Sequence, residues 1–280
     1  MTVWIGTSGW QYDDWRGPVY PREIAQRAWL ESYAARFATV ESNAAFYHLP
    51  ERRVFEAWAE RTPDDFVMAV KVSRYLTHIK RLAEPEEPVR RFLDRARGLG
   101  SKLGPALIQL PPQFGCDRER LARTLDQFPP DVRVAVEFRH RSWFTDEIRQ
   151  LLVDHGAAYC LADRRGVLGP VWRTTDWTYL RFHGGRARPR PAYGDAALAT
   201  WARRLAADWS SDEDVYVYFN NDHRAAAPRD AARFAGQVRR LGLTPSRVPS
   251  VRSLQYGTHL RPTRRPPAAP AGPAGRTDVA

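Results

Sequence analysis

Several things are scarce in this chain, and each scarcity excludes something. There are two cysteines, Cys116 and Cys160, too few for a disulfide framework and without the spacing of a zinc motif. No apolar run reaches the length that spans a bilayer, which excludes a transmembrane helix. The first residues pass directly into Val3-Trp4-Ile5-Gly6 with no basic segment or cleavage site, so no secretory signal is read and a cytoplasmic location is expected. Lysine is the scarcest charge: of 43 basic side chains only Lys71, Lys80 and Lys102 are lysine. Arginine serves almost everywhere else. A lysine kept at the end of an expected strand, as at Lys71, therefore points to a position that wants a compact ammonium rather than a planar fork.

What is present is ample for a globular fold. The chain has 280 residues, 43% of them hydrophobic, and 22 prolines, enough to bury a substantial core as two small domains or one large α/β barrel. The net charge is +11; from Pro245 onward six arginines face one acid, Asp278, so that tail carries +5 and the body +6. A basic balance draws anionic partners through long-range attraction. A proline-rich basic tail, however, reads first as solvated and disordered. A small polar or anionic ligand is the expected partner, nucleic acid is admitted without being favoured, and no membrane partner is expected.

The stretch from Val134 to Trp143 organises the chain. It begins as a buried strand, Val134-Ala135-Val136, and turns polar within three residues as Glu137, Arg139 and His140 arrive together. A strand apolar in its body and charged at its C-terminal tip suits a parallel sheet covered on both faces, whose carboxyl end opens onto a ligand site. The same grammar recurs. Strands are expected at Val3–Gly6, Thr39–Asn43, Phe66–Lys71, Ala106–Leu110, Val134–Val136, Ala157–Asp163, Thr178–His183 and Val215–Asn220. Helical spacing falls between most of them, for example Arg118–Gln127 with Asp117 as N-cap and a helix capped by Thr145. No ordinary helix is read between Asp163 and Thr178. Alternation predicts a single (β/α)8 TIM-like barrel over residues 1–243, with a disordered basic Pro/Ala/Arg-rich tail over 244–280. The runner-up, an open doubly wound sheet, would carry an early glycine-rich phosphate turn, and Gly6-Thr7-Ser8-Gly9 is not one.

Polar groups close every expected strand: Ser8 and Trp10; Glu41 and Asn43; Lys71; Gln109; Glu137, Arg139 and His140; Asp163; Arg181 and His183; Asn220, Asn221 and Asp222. Strand alternation puts Glu41 with Asn43, Glu137 with Arg139, Arg181 with His183, and Asn220 with Asp222 on shared faces. Turned inward, they form one ring at the barrel mouth. Five histidines (His48, His78, His140, His183, His223) also follow expected strands, and in a barrel that face is where catalysis is found.

The residue types leave the chemistry open. Glu41 and Glu137 suit an acid–base pair tuned by Lys71, Arg139 and Arg181. The aromatics Trp10, Tyr12, Tyr47 and Trp143 suit stacking on a sugar or base. Glu41, Glu137, His183 and Asp222 are an alternative set for a divalent metal, without an HExxH or clustered ligand spacing to support it; no other cofactor is indicated. Three cations around one pocket suit a phosphate or carboxylate. Equally, they serve to neutralise the two carboxylates.

These pieces resemble the DUF72 (YecE-like) family of uncharacterised TIM-barrel proteins. The likeness is carried by Gly6-Thr7-Ser8-Gly9-Trp10, Val40-Glu41-Ser42-Asn43 with Phe46-Tyr47, Lys71 with Thr77-His78, Gln109-Leu110-Pro111-Pro112, Val136-Glu137-Phe138-Arg139-His140 with Ser142-Trp143, Arg181-Phe182-His183-Gly184, and Tyr218-Phe219-Asn220-Asn221. The resemblance implies the barrel and a polar pocket at its C-terminal face, but no reaction. After Asn221 the family's glycine and helix-opening asparagine are replaced by Ala225 and Asp230, the latter able to cap a helix. The Arg186–Pro191 segment is unusually basic.

The leading expectation is an enzyme of hydrolase or lyase type acting on a small polar, anionic substrate. Glu137 is its principal acid or base, Glu41 the partner carboxylate and His183 a second proton carrier. Lys71, Arg139 and Arg181 hold negative charge. Asn43, Gln109 and Asn220 orient the ligand, with Trp10, Tyr47, His140, Trp143 and Asn221 lining the site. The alternatives are a nucleic-acid-processing or repair enzyme and a non-enzymatic metabolite-binding module.

Overall fold

Runs of β-branched and apolar residues broken by proline, glycine and capping residues set out the strands and helices. The computed structural model describes residues 2–164, 169–209 and 213–255. Eight strands form in the expected places: β1 Thr2–Thr7, β2 Thr39–Ser42, β3 Val67–Lys71, β4 Leu103–Gln109, β5 Val134–Glu137, β6 Ala158–Asp163, β7 Thr178–Phe182 and β8 Val215–Phe219. A two-residue strand, β9 Thr244–Pro245, follows. The helices are α1 Trp29–Ala34, α2 Ala44–Tyr47, α3 Arg52–Glu60, α4 Glu86–Ala96, α5 Arg118–Leu125, α6 Asp146–Asp154, α7 Asp195–Asp208, α8 Ala226–Arg240 and α9 Val251–Gln255. Asp117 caps α5 by accepting from the Arg120 amide at 3.1 Å, and Thr145 caps α6 through the Ile148 amide at 3.3 Å. No helix among the described residues is long and apolar enough to cross a membrane.

All pairings are parallel, in the order β2-β3-β4-β5-β6-β7-β8-β1-β9. The sheet curls into a TIM-like barrel whose β1 and β2 meet at the Ser8–Glu41 bridge. Period-two alternation sorts the side chains into two apolar groups. Outward residues such as Val136, Leu161, Leu180 and Val217 pack under the helices. Inward residues form the barrel filling, where Tyr179, Tyr216, Tyr218 and Trp177 interdigitate with small Ala69, Ala135, Ala158 and Cys160. Large residues on β7 and β8 thus fill the space that small ones on β3, β5 and β6 leave.

The β1–β2 seam is closed by side chains and a late segment. Gly6 lies so near β2 that a Cβ there would sit 2.3 Å from the Thr39 carbonyl oxygen. Between them the hydroxyl of Tyr33, from α1, accepts from the Thr7 amide and donates to Thr39 O, both at 3.0 Å. Lower down, β9 pairs with Thr2 and Val3 of β1, Ser246 N donates to Val3 O at 2.8 Å, and Ala38 N donates to Arg247 O at 3.0 Å.

That wedge corrects the boundary expected at residue 243. Packed structure continues through Arg247, which grips Asp65 with two nitrogens at 2.5 and 3.1 Å, to the fully buried Leu254. The reason is backbone pairing: β9 and Ser246 bond to the start of β1, and Arg247 O accepts from Ala38 just before β2. The remaining tail, 256–280, lies outside the described residues. A second correction concerns Asp230. Helix α8 starts at Ala226, so Asp230 sits one turn inside it, accepting from the Tyr193 amide and the Asn221 side chain at 2.8 Å each.

Replacing Tyr33 by Phe leaves a buried amide and a buried carbonyl unpaired at the seam. We expect a loss of about 1–3 kcal/mol in urea denaturation. An unchanged midpoint would show that the seam does not depend on the hydroxyl.

Candidate functional site

The inward positions at the C-terminal ends of β1, β2, β4, β5 and β7 place Ser8, Glu41, Gln109, Glu137 and Arg181 in one layer above the aromatic filling. Arg181 is at its centre and fully buried. Its guanidinium spans both carboxylates, with Nη2 2.7 Å from Glu41 Oε1 and Nη1 2.5 Å from Glu137 Oε2. Gln109 Oε1 accepts from Arg181 at 3.3 Å and from Arg139 Nη2 at 2.9 Å, so one amide carbonyl ties two guanidinium groups together.

The two carboxylates differ in what remains open to them. Glu41 accepts from Arg181 and the Ser8 hydroxyl on Oε1 and from Tyr179 OH on Oε2 at 2.7 Å. Glu41 thus accepts three hydrogen bonds, two on Oε1 and one on Oε2. Glu137 Oε1 accepts from Arg139 Nε at 2.8 Å and lies 3.4 Å from His183 Nε2. Asn220 holds the other face of that ring, with its amide nitrogen 3.2 Å from Nδ1. With the amide donating, Nδ1 accepts, and the ring proton sits on Nε2 toward Glu137. The geometry at 3.4 Å is not that of an aligned hydrogen bond, and Nε2 has no other partner.

Electrostatics follow from this packing. Burial opposes the charge on Glu137, yet Arg181, His183 and Arg139 outweigh it and hold its carboxyl well below the usual range. Glu41 is lowered in the same way, burial being overcome by Arg181 with the Ser8 and Tyr179 bonds. Burial lowers His183 despite the pull of Glu137, so its imidazole is neutral at pH 7. Lys71 is pushed down to about 7, by burial first and by Arg181 next. Its ammonium stands 3.8 Å over the ring of Phe46, from α2. His78 packs edge-on against the same ring at 5.0 Å. Burial, followed by Lys71, takes His78 down to about 4.

The ring expected from sequence is therefore assembled from Glu41, Glu137, Gln109, Arg139, Arg181, His183 and Asn220, with Asn43 joining through Ser8 Oγ at 2.9 Å. Lys71 lies beside it, within the field of both carboxylates and both arginines. Other candidates are placed elsewhere. Trp143 is fully buried in the wall, stacked on Phe138 at 4.9 Å and donating to Phe114 O at 2.8 Å. Trp10 packs against Trp58 at 5.4 Å. Asn221 donates to Asp230 and Pro191 O, bracing the loop after β7. His140 contacts Ser142 Oγ at 2.7 Å in the turn after β5. Tyr47 stands exposed on α2. Of the five histidines, His183 alone joins the ring, while His48 and His223 are exposed.

Two contributors were missed. Tyr179 shares its face with Arg181 two residues on, a relation that alternation alone reveals. Phe46, in a short helix between strands, offers no such signal. The alternative metal set does not come together either: Arg181 occupies the space between Glu41 and Glu137, and Asp222 is turned to Trp15 Nε1 at 2.8 Å. Among the described residues no group of three or more His, Cys, Asp or Glu is placed to hold a metal.

Substituting Arg181 by Met removes the ion-pair partner of buried Glu41 and leaves buried Glu137 with Arg139 alone, and we expect a cost of about 3–5 kcal/mol at pH 7. The sign of the pH dependence follows from the lowered carboxyl values. In the natural protein this stabilisation is complete above the unfolded-state value near 4.5 and fades as pH falls below it. Without Arg181 burial raises both carboxyls, so the gap between variant and natural protein narrows from pH 7 to pH 4 in chemical denaturation. A gap independent of pH would contradict this account.

Comparison with known proteins agrees with the fold. The UPF0759 protein YunF of Bacillus subtilis is 28% identical over 253 residues, covering 79% of this chain and 89% of its own. The crystal structure of a DUF72 family protein from Thermotoga maritima is similar with a TM-score of 0.74 and 30% identity, over 85% of this chain and all of that one. A DUF72 family protein from Enterococcus faecalis shares the fold at a TM-score of 0.71 and 20% identity, over 85% and 96% of the two chains. Residues 4–252 match the family described as "Protein of unknown function DUF72", and the chain belongs to that family.

Proposed function

We propose that the barrel mouth is the active site of an enzyme performing acid–base chemistry, of hydrolase or lyase type, on a small polar, anionic substrate. The observation that carries this reading is the buried Glu41–Arg181–Glu137 bridge with neutral His183 turned toward Glu137. Taking three charges out of water costs folding free energy, and an apolar layer would fill a barrel at lower cost. The rest of the filling is aromatic, aliphatic or small and needs no such bridge.

Roles follow from which atoms remain available. Glu137 Oε1, on the side shared with Arg139 and His183, is the proton-exchanging oxygen, and the neutral imidazole beside it is the second carrier. Glu41, held by Ser8 and Tyr179 as well as by the arginine, positions Arg181. Arg139 is the partly exposed guanidinium of the layer and supplies the contact to a substrate anion. Gln109, Asn43 and Asn220 orient the layer and the ligand.

The test is a screen of carboxylate- and phosphate-bearing metabolites with Glu137→Gln as control. We expect turnover to fall by about 10²–10⁴-fold in the variant with the far-ultraviolet dichroism unchanged. Full activity in the variant removes Glu137 from the mechanism, and a ligand bound but returned unchanged favours a binding module.

Nucleic-acid binding has one observation in its favour: Arg186, Arg188 and Arg190 are exposed in the connection from β7 to α7, on the mouth side. Replacing all three by Ser should weaken binding of single-stranded DNA and flatten its dependence on salt by about 0.7 per lost phosphate contact on a double-logarithmic plot. Binding indifferent to salt rejects this reading.

A further inference from the structure

The three lysines meet three different surroundings. Lys102 donates to the carbonyl oxygens of Ala59 and Thr62, at 2.6 Å each. Lys80 pairs with Glu84 at the surface. Lys71 is 7% exposed, yet among the described residues its ammonium has neither an ion pair nor a hydrogen bond to an oxygen, and its near contact is the face of Phe46.

The charge balance of the mouth accounts for this. Glu41 from β2 and Glu137 from β5 are already matched by Arg181 from β7 and Arg139 from β5. His78, beside the same phenyl ring, stays neutral at pH 7. A charge on Lys71 is therefore surplus, and burial together with Arg181 disfavours it, giving the value near 7. At pH 7 such a group presents about a thousandfold more free amine than an ordinary lysine. A buried amine kept clear of acceptors at a barrel mouth has a lone pair free to attack.

We propose that Lys71 is the nucleophile of this site and forms an imine with a small carbonyl compound bearing a carboxylate or phosphate. The proposal rests on the acid–base reading above, because the step needs proton carriers at the mouth. The Lys71 Nζ lone pair adds to the carbonyl carbon as the π pair moves to oxygen, which takes up a proton while nitrogen releases one. The resulting carbinolamine hydroxyl is protonated and leaves as water as the nitrogen lone pair forms the C=N bond, and the iminium nitrogen then releases its remaining proton to the carrier that supplied one. The sum is amine plus carbonyl giving imine plus water, with no oxidant or reductant. Glu137 and His183 carry the protons, and Arg139 holds the anionic group.

The test incubates the full chain with pyruvate, or with glyceraldehyde 3-phosphate, in the presence of sodium cyanoborohydride, and locates the reduced adduct by peptide mass mapping. Acetone is the uncharged control. We expect the adduct on Lys71 ahead of Lys80 and Lys102, faster with an anionic probe than with acetone, and slowing about tenfold per pH unit below about pH 7. Labelling by one probe alone supports the proposal and identifies the anion as carboxylate or phosphate. Lys71→Arg should lose the label at unchanged dichroism; if that variant fails to fold, the position of the label in the natural chain decides. No adduct with either probe, an adduct spread over Lys80 and Lys102, or equal labelling by acetone overturns the proposal. Absence of an adduct alongside turnover that Glu137→Gln abolishes retires the imine and keeps the acid–base reading. A Lys71 adduct with a fully active Glu137→Gln variant does the reverse.

Discussion

One guanidinium sets the state of every other charge in the barrel mouth. Arg181 is buried between Glu41 and Glu137 and bonds to both. Two carboxylates brought this close in a water-poor layer repel each other and resist ionisation, so without the arginine burial would keep them protonated. With it they remain anions, and their negative charge is largely spent on Arg181 and Arg139. Burial then destabilises the Lys71 ammonium and the His183 imidazolium, and the charge left on the two carboxylates does not offset it. A neutral imidazole and a partly deprotonated amine beside two carboxylate anions are a consequence of where one arginine points.

The closure of the barrel and the assembly of the site depend on each other. β1 and β2 approach at Gly6, are linked by Tyr33, and form their backbone bridge at Ser8 and Glu41. Those two residues also carry side chains of the charged layer, joined to each other and to Arg181 and Asn43. The seam thus holds Ser8 and Glu41 in register with the arginine on the opposite wall. The segment from Thr244 to Arg247 fills the lower part of the same seam, so a stretch far from the site in sequence helps to fix its geometry.

Much of this was legible in advance because strand periodicity is a local property. Glu41, Glu137, Gln109 and Arg181 each fall at the polar end of an apolar run, and counting by two places them inward without knowledge of partners. The same counting extends to Tyr179, whose position two residues before Arg181 already implies the shared face. Errors came where a side chain's direction depends on packing from elsewhere. Trp143 and Trp10 follow strand ends, as ligand-stacking aromatics do, but helices and loops cover them and they complete the wall. Asp230 has the composition of a cap and serves as a buried acceptor for Tyr193 and Asn221 instead. Residues 244–247 read as part of the basic tail because Thr, Pro, Ser and Arg carry no apolar pattern. Their fit is to unpaired backbone, which no side-chain pattern reports.

By itself the sequence determined the eight-stranded parallel alternation, the inward or outward sense of each strand residue, and the gathering of charge at one end, since each follows from periods of a few residues. Only the tertiary structure decided which charges pair. Ion pairing depends on distances of a few ångströms between strands separated by as many as 140 residues, as for Glu41 and Arg181. That pairing made Arg181 a buried bridge between Glu41 and Glu137 and left Lys71, among the described residues, without an ion pair.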